Sequence, residues 1–477
     1  MSVKRSLAFA YLDRYASLVV AVASSMAIAR LLTPAEIGVY SVTVMLLAFV
    51  ATFRDMGAGG YLVQEKELTV DRVRAVWTVQ LGLGLFLALL VIAASGPVAR
   101  FYDEPRMRDM MLVVALNYAV NPFGSLTYAW QMREMRFAEL ALVRFCATLA
   151  GAIVSIFLAW RGFGPISLAI GSFASILVNA LGAVSFRPKW FPWMPGLREI
   201  RRVLAFGSQT TGASLISTLC GSAPELLLGK LQGMAAAGLF SRANGLVAMF
   251  HQLILQGLSS VASSWFARES RANGNIAQPF LRVTATVTLL GWSFALGTLF
   301  LARPAIRLLY GEQWDGAVDV ARLAAGALAC TMPAMMCGTA LVALGAVRPA
   351  LRATAVSGAV AIGMVGLGAS FGLLEAGAGL VLSSALGSCY WLLVSQREIR
   401  FRWLDLLRSL GESATVAGAA GIGPALAFTF FGPQPETFWL PLALGVPGAA
   451  LGFVAAVLAI QHPLLEELRS FRRGFSH

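Results

Sequence analysis

Apolar runs of about twenty residues recur from one end of the chain to the other, divided by short charged or Pro/Gly-rich breaks. They lie near residues 8–29, 38–53, 76–98, 110–131, 139–159, 164–185, 203–228, 238–262, 282–302, 318–344, 352–371, 376–395, 413–431 and 438–460. Runs this long and apolar do not suit strands, and lipid leaves a backbone only two ways to satisfy its polar groups, the helix and the closed barrel. Barrel strands would alternate in segments of about ten residues, and that alternation is absent. Composition points the same way. The 477 residues are 58% hydrophobic and 13% charged, whereas a soluble domain carries about a quarter charged residues. The expected fold class is an all-α integral membrane protein with about 14 transmembrane helices.

An even number of spans places both termini on one side. The breaks on that side hold about 25 of the 37 Lys and Arg, among them Lys66, Arg72, Arg74, Arg198, Arg201, Arg202, Arg397, Arg400, Arg402 and Arg473. Lys/Arg excess marks the cytoplasmic side, so both termini are expected in the cytoplasm, with the chain in a bacterial inner membrane. The net charge of +13 then reads as topology, and nucleic acid is not an expected partner. Trp190, Trp193, Trp403 and Trp439 stand at span ends, where interfacial aromatics belong. The first run is read as an uncleaved helix rather than a signal peptide, because Asp13 and Arg14 interrupt it.

No catalytic or cofactor pattern emerges. The five cysteines sit in apolar runs without metal-type spacing, and His251, His462 and His477 fit no metal motif. No GxSxG, Walker A, HExxH or dinucleotide fingerprint occurs. The extramembrane stretches reach only about twenty residues, too short for a nucleotide-binding domain. The expectation is a protein that is not an enzyme and needs neither cofactor nor metal.

The sequence repeats itself at an offset of 200. Ala29 to Ser41 lies over Gly229 to Ser241, with Leu31/Leu231, Ala35/Ala235, Gly38/Gly238 and Ser41/Ser241 identical. A second match sets Pro97-Val-Ala-Arg100 over Pro304-Ala-Ile-Arg307. Two matches in one order predict two pseudo-symmetric six-helix lobes plus two C-terminal helices. The expected domains are an N-lobe at 1–186, a cytoplasmic linker at 187–202, a C-lobe at 203–396, and spans 13–14 with a tail at 397–477. Six spans per copy give both the same orientation, with a substrate path between them.

Ala-Arg-Leu-Leu-Thr-Pro-Ala-Glu-Ile-Gly-Val-Tyr (29–40), Phe53 to Gln64, Arg133-Glu-Met-Arg-Phe137 and Gly238 to Ala243 resemble the signatures of bacterial polysaccharide exporters. Over most of its length the chain is similar to the polysaccharide transporter family of the multidrug/oligosaccharidyl-lipid/polysaccharide (MOP) exporter superfamily. That resemblance implies a flippase for O-antigen or exopolysaccharide biosynthesis. It would move undecaprenyl-pyrophosphate-linked oligosaccharide from the cytoplasmic to the periplasmic leaflet by alternating access. Its partners would be the lipid-linked oligosaccharide, membrane lipids, and polysaccharide polymerase and chain-length machinery. The alternatives are a drug/cation antiporter of the same superfamily and a membrane glycan polymerase or ligase. The antiporter predicts a buried acidic site, whereas the one acid well inside an N-half span, Asp13, adjoins Arg14. The polymerase predicts a long periplasmic loop, and every such loop here is short.

An anionic head group crossing lipid requires cations, and Arg suits phosphate through its planar two-pronged fork. Charges inside spans are expensive and hence candidates. Arg144, on the order of 10 Å into its span, and Arg14 are the candidate pyrophosphate ligands, against snorkelling or an Arg144–Asp13 pair. Arg30 and Lys230 occupy equivalent positions and are exit-side candidates, against interface anchoring. Glu225 and Arg242 flank one hairpin at matching depth, as a structural pair, a gate or an ion site. Asp319 and Arg322, at i and i+3, share a helix face and suit a local pair. Arg54 closes its span beside Gly59 and Gly60, as a turn cation or a functional one. Gln252 and Gln256, one turn apart, and Asn179 are candidate sugar contacts, against inter-helix hydrogen bonding. Segments 97–108 and 304–314 read as short amphipathic interfacial helices.

Overall fold

The computed structural model describes residues 3–54, 58–273, 275–431 and 439–460; the side chains of 3–14, 58, 206–213, 253 and 273 lie outside that description. Every regular element among the described residues is helical. In order these are α1 (Val3–Leu31), α2 (Pro34–Arg54), α3 (Ala58–Gln64), α4 (Val70–Tyr102), α5 (Arg106–Arg133), α6 (Phe137–Trp160), α7 (Ile166–Ser185), α8 (Ile200–Leu231) and α9 (Met234–Phe250). A π turn at His251–Leu255 leads into α10 (Gln256–Asn273), followed by α11 (Ala277–Leu309), α12 (Val318–Thr331), α13 (Cys337–Ala343), α14 (Val347–Phe371), α15 (Leu373–Ile399), α16 (Trp403–Phe431) and α17 (Leu440–Ile460). Eleven helical stretches among the described residues are long and apolar enough to cross a membrane. The other three expected spans fall on α1, α8 and the α9–α10 run, which do not meet that measure, so the count of fourteen is not established.

The helices group into two compact units, Met1–Gly238 and Leu239–His477. The division falls inside α9. Grouping by contact places α8 with the first unit, where it packs on α2, α3 and α4, while the sequence repeat places it with the second copy.

In the first unit, α4 pairs with α5, α5 with α7, α6 with α7, and α1 with α6. A reciprocal cap starts α2. The Thr33 amide donates to Glu36 Oε2 at 2.8 Å, the Glu36 amide donates to Thr33 Oγ1 at 3.4 Å, and Pro34 takes the first helical position. Leu47, Leu87, Val91, Met111 and Tyr118 form a buried cluster between α2, α4 and α5.

The second unit repeats that pairing order: α11 with α12, α12 with α15, and α14 with α15. The two longest helices also correspond. Both α4 and α11 run 33 residues, and each holds its internal proline, Pro97 or Pro304, five residues before its last residue. The additional pair α16 and α17 packs on α11.

The interfacial helices expected at 97–108 and 304–314 are not separate elements. Residues 97–102 and 304–309 are the final turns of α4 and α11. A proline loses only one backbone bond, and apolar flanks carry the helix past it. The chain breaks later, at Asp103 with φ of 54° and at Gly311 with φ of 99°, in the left-handed region that ends a helix.

Candidate functional site

Where α2, α3, α4 and α5 meet, they enclose a cavity of about 300 Å3 whose walls include Arg54, Gly59, Gly60, Gln80, Asn121, Ser125 and Tyr128. Arg54 ends α2, where the helix dipole favours a cation, and its guanidinium carbon stands 5.9 Å from the centre of the Tyr118 ring. Pro122 lies inside α5 and cannot donate to the Tyr118 carbonyl four residues earlier. Gly84 of α4 is fitted against that carbonyl and the proline ring, 2.6 and 2.8 Å from where a Cβ would sit. The close approach of α4 brings Gln80, one turn away, to the cavity wall.

Arg144 adjoins this cavity through Tyr128. Its Nη2 donates to Tyr128 Oη at 2.9 Å, and its guanidinium carbon stands 5.9 Å from that ring's centre. Helical geometry explains its placement. Leu142, Leu149, Ile153, Phe157 and Trp160 form an exposed apolar stripe on α6. At about 100° per residue, Arg144 stands on the opposite side, with buried Leu140, Ala147, Gly151 and Ser155. Its side chain is exposed all the same, on the side turned away from the apolar stripe.

Arg133 fixes the α3 wall. Its Nη1 donates to the carbonyls of Leu62 (2.9 Å) and Glu65, and its Nη2 to that of Lys66 (3.1 Å). One planar fork thus satisfies the Leu62 carbonyl in the last turn of a seven-residue helix and two carbonyls just past its end. Glu65 in turn meets Arg72 at 3.4 Å and Arg202 at 3.3 Å, tying α3 to the starts of α4 and α8. Hydrogen bonding from Tyr61, ahead of the Arg202 and Arg72 charges, holds the Glu65 carboxyl below its ordinary range.

The opposite end of the 21-residue α2, about 30 Å along the helix, packs on the α8–α9 turn. Here the repeat becomes visible in space. The backbone at Gly38 lies against Met234 and Gly238, and the backbone at Gly238 lies against Pro34 and Gly38. Buried Glu225 accepts the Ser41 hydroxyl. Tyr102 Oη reaches the Leu226 carbonyl at 3.4 Å. Lys230 Nζ donates to the Phe101 carbonyl and stands 3.5 Å from Asp103 and 4.8 Å from the centre of the Phe101 ring. Arg30 is exposed at the end of α1.

In the second unit, Arg242 lies over Tyr310 at 5.4 Å and Trp314 at 5.7 Å. Asp319 and Arg322 meet at 2.9 Å, and Arg322 also reaches the Leu299 carbonyl at 3.2 Å. Gln252 and Gln256 are both exposed around the π turn, a geometry that recurs at functional sites. Asn179 is half-buried, its Oδ1 3.3 Å from where a Gly124 Cβ would stand, so it packs α7 on α5. The side chain of Arg14 lies outside the described residues.

Sequence reasoning reached Arg144 and Arg54 but missed Gln80 and Tyr128. Gln80 is findable, since it is a polar group inside an apolar run, the criterion that picks out Asn179. Tyr128 carries no such signal, because an aromatic near a span end is ordinary.

The architecture defines a class. The chain is similar to the lipid II flippase MurJ in an inward closed conformation, with a TM-score of 0.77 at 13% identity over 94% of this chain and 99% of that one. It is also similar to an inward-facing multidrug resistance MATE family transporter of the MOP superfamily, with a TM-score of 0.65 at 15% identity over 80% and 94%. The chain therefore shares the all-helical fold of these two proteins.

Sequence similarity narrows this. Succinoglycan biosynthesis transport protein ExoT of Rhizobium meliloti (strain 1021) is 27% identical over 352 residues, 71% of this chain and 69% of ExoT. Lipopolysaccharide biosynthesis protein WzxC of Escherichia coli (strain K12) is 22% identical over 302 residues, 62% of this chain and 61% of WzxC. Residues 27–319 match the family described as Polysaccharide biosynthesis protein, and the chain belongs to that family. The resemblance seen in the loop signatures is borne out.

Proposed function

We propose that this chain is a flippase for lipid-linked oligosaccharide, moving undecaprenyl-pyrophosphate-linked sugars from the cytoplasmic to the periplasmic leaflet. The family, the transporter fold and the names of the relatives support this reading. The observation that carries it is the cavity of the first unit, whose largely apolar wall carries a few placed polar groups. It is walled by Arg54 and Tyr128, and Arg144 is hydrogen-bonded to Tyr128.

A pyrophosphate offers planar pairs of oxygens to two guanidinium forks, while Gln80, Asn121 and Ser125 offer neutral donors and acceptors to the first sugar. Arg144 and Arg54 are assigned to the pyrophosphate, with Arg14 as a further ligand. Arg30 and Lys230 belong to the exit side, and Glu225, Arg242, Asp319 and Arg322 to the gate region. Gln252, Gln256 and Asn179 complete the sugar-contact candidates. The inner membrane holds the chain with both termini and the Arg54 end of α2 in the cytoplasm, as the Lys/Arg distribution requires. Two six-helix lobes alternate access, and the polymerase and chain-length machinery take up the exported unit.

Deleting the gene and complementing it tests the proposal in cells. Loss should stop polysaccharide export and accumulate lipid-linked repeat units that a membrane-impermeant glycan probe cannot reach from the periplasm. Complementation should restore both. Lipid-linked units that reach the periplasmic face at the parental rate without the protein would overturn the assignment.

A further inference from the structure

The connection between α7 and α8 presents an unpartnered apolar surface. Trp190, Trp193, Met194 and Leu197 are 45%, 53%, 74% and 80% exposed, although the segment joins two helices and has folded protein behind it. This exposure is built in. Trp77 Nε1 of α4 donates to the Trp193 carbonyl at 3.0 Å. The Gly196 amide donates to Thr78 Oγ1 at 2.8 Å, and that hydroxyl stands 3.0 Å from the Gly196 carbonyl. A Cβ on Gly196 would stand 2.8 Å from Arg74 Cβ. Arg187 donates from Nη2 to the Pro192 carbonyl at 2.8 Å, with its guanidinium carbon 3.8 Å from the centre of the Trp193 ring. The backbone is tied to α4, which leaves Trp190, Met194 and Leu197 turned outward, while the Trp193 ring rests edge-on against Trp77 and keeps about half its surface open.

Charge says what covers them. Between residues 187 and 202 stand five cations, Arg187, Lys189, Arg198, Arg201 and Arg202, against the single acid Glu199. Arg198 faces Asp71 at 3.6 Å and Arg202 faces Glu65 at 3.3 Å. Lys189 and Arg201 are exposed. Aromatic and aliphatic groups interleaved with cations at a helix–helix connection match the boundary between acyl chains and anionic head groups. We propose that the 187–201 connection is a pre-formed docking surface for anionic phospholipid, with Trp190, Trp193, Met194 and Leu197 entering the leaflet and Lys189 and Arg201 taking the phosphates.

The test places the full chain in nanodiscs of phosphatidylcholine and phosphatidylglycerol, with bromines near the head-group end of the acyl chains of one lipid or the other. The signal is the tryptophan quenching that a Trp190→Phe/Trp193→Phe variant loses. Brominated phosphatidylglycerol should quench that signal more strongly than brominated phosphatidylcholine at equal total composition. Lys189→Gln/Arg201→Gln should bring the two close to equality, since each cation near a charged surface changes local lipid preference on the order of fivefold. Both variants alter exposed side chains, and circular dichroism confirms their folding. Equal quenching by the two lipids in the parent, or no quenching lost in the Trp variant, overturns the proposal. This outcome is independent of whether the chain flips oligosaccharide.

Discussion

Gly38 and Gly238 pack backbone to backbone, each in the place where the other's side chain would be. A Cβ on Gly38 would stand 1.7 Å from the Met234 carbonyl oxygen, and one on Gly238 2.0 Å from the Pro34 carbonyl oxygen. The pairs 34/234 and 38/238 keep the offset of the sequence repeat, so the two copies meet here through equivalent residues. The obstructing atoms are backbone and cannot rotate away. Gly38→Ala or Gly238→Ala should therefore force the α1–α2 and α8–α9 turns apart, costing about 1–3 kcal/mol as overpacking does. A lowered thermal midpoint in detergent would show it, with Gly82→Ala, where a Cβ meets nothing within 4 Å, as the control that should hold or raise the midpoint.

Next to that contact, Glu225 is buried and accepts the Ser41 hydroxyl across 184 residues of sequence. Ser41→Ala should remove a donor from a buried carboxyl group and lower stability by about 1–3 kcal/mol. Ser41→Thr, which keeps the hydroxyl, should retain most of it. Equal midpoints for Ser41→Ala and the parent would show that the bond contributes nothing.

Arg133 holds the α3 end by donating to three carbonyls. Lysine keeps the charge but not the fork. Hydrogen exchange of the 59–66 amides should accelerate at least tenfold in Arg133→Ala and by an intermediate factor in Arg133→Lys. Unchanged exchange in Arg133→Ala would mean that α3 is held by other contacts.

The same region predicts an acid limit. The Glu65 carboxyl in the folded protein lies below its ordinary 4.5, so the unfolded chain binds the proton more readily than the folded one. Stability from Glu65 is therefore fully present above about pH 4.5 and is lost as pH falls through the depressed folded value. Thermal midpoints of the parent and of Glu65→Gln should differ at pH 7 and converge as the pH drops below 4.5. A difference that stays constant across that range contradicts the hydrogen bond from Tyr61 and the coupling to Arg202 and Arg72.

Much of the architecture was legible in the chain because a bilayer imposes long apolar helices on any sequence within it. The repeat was legible too, and it reappears in the contact at Gly38, at offset 200, and in the matched 33-residue helices, which stand 207 residues apart. The positions of helix ends were not. The segments from Pro97 and Pro304 read as separate interfacial helices, yet the backbone gives up one bond and continues to Tyr102 and Leu309. The candidate site divides in the same way. Arg144 stood out because a charge inside an apolar run is costly. Its partner Tyr128 and the cavity wall at Gln80 depend on how α4, α5 and α6 pack, which no local pattern encodes. Ser41 meets Glu225 for the same reason: hydrophobic periodicity fixes a helix face and leaves open which distant helix will cover it.

On the proposed function, the cavity served by Arg54, Tyr128 and Arg144 handles the head group of a lipid-linked oligosaccharide. The most direct measurement reconstitutes the purified chain in vesicles with a fluorescent polyprenyl-pyrophosphate-linked oligosaccharide and follows quenching of the outer-leaflet fluorophore by dithionite. The parent should move the lipid between leaflets well above the rate of empty vesicles. Arg144→Ala should fall to the empty-vesicle rate, and Arg144→Lys should recover part of the parental rate. Parental rates in Arg144→Ala, or no acceleration by the parent itself, would contradict the account.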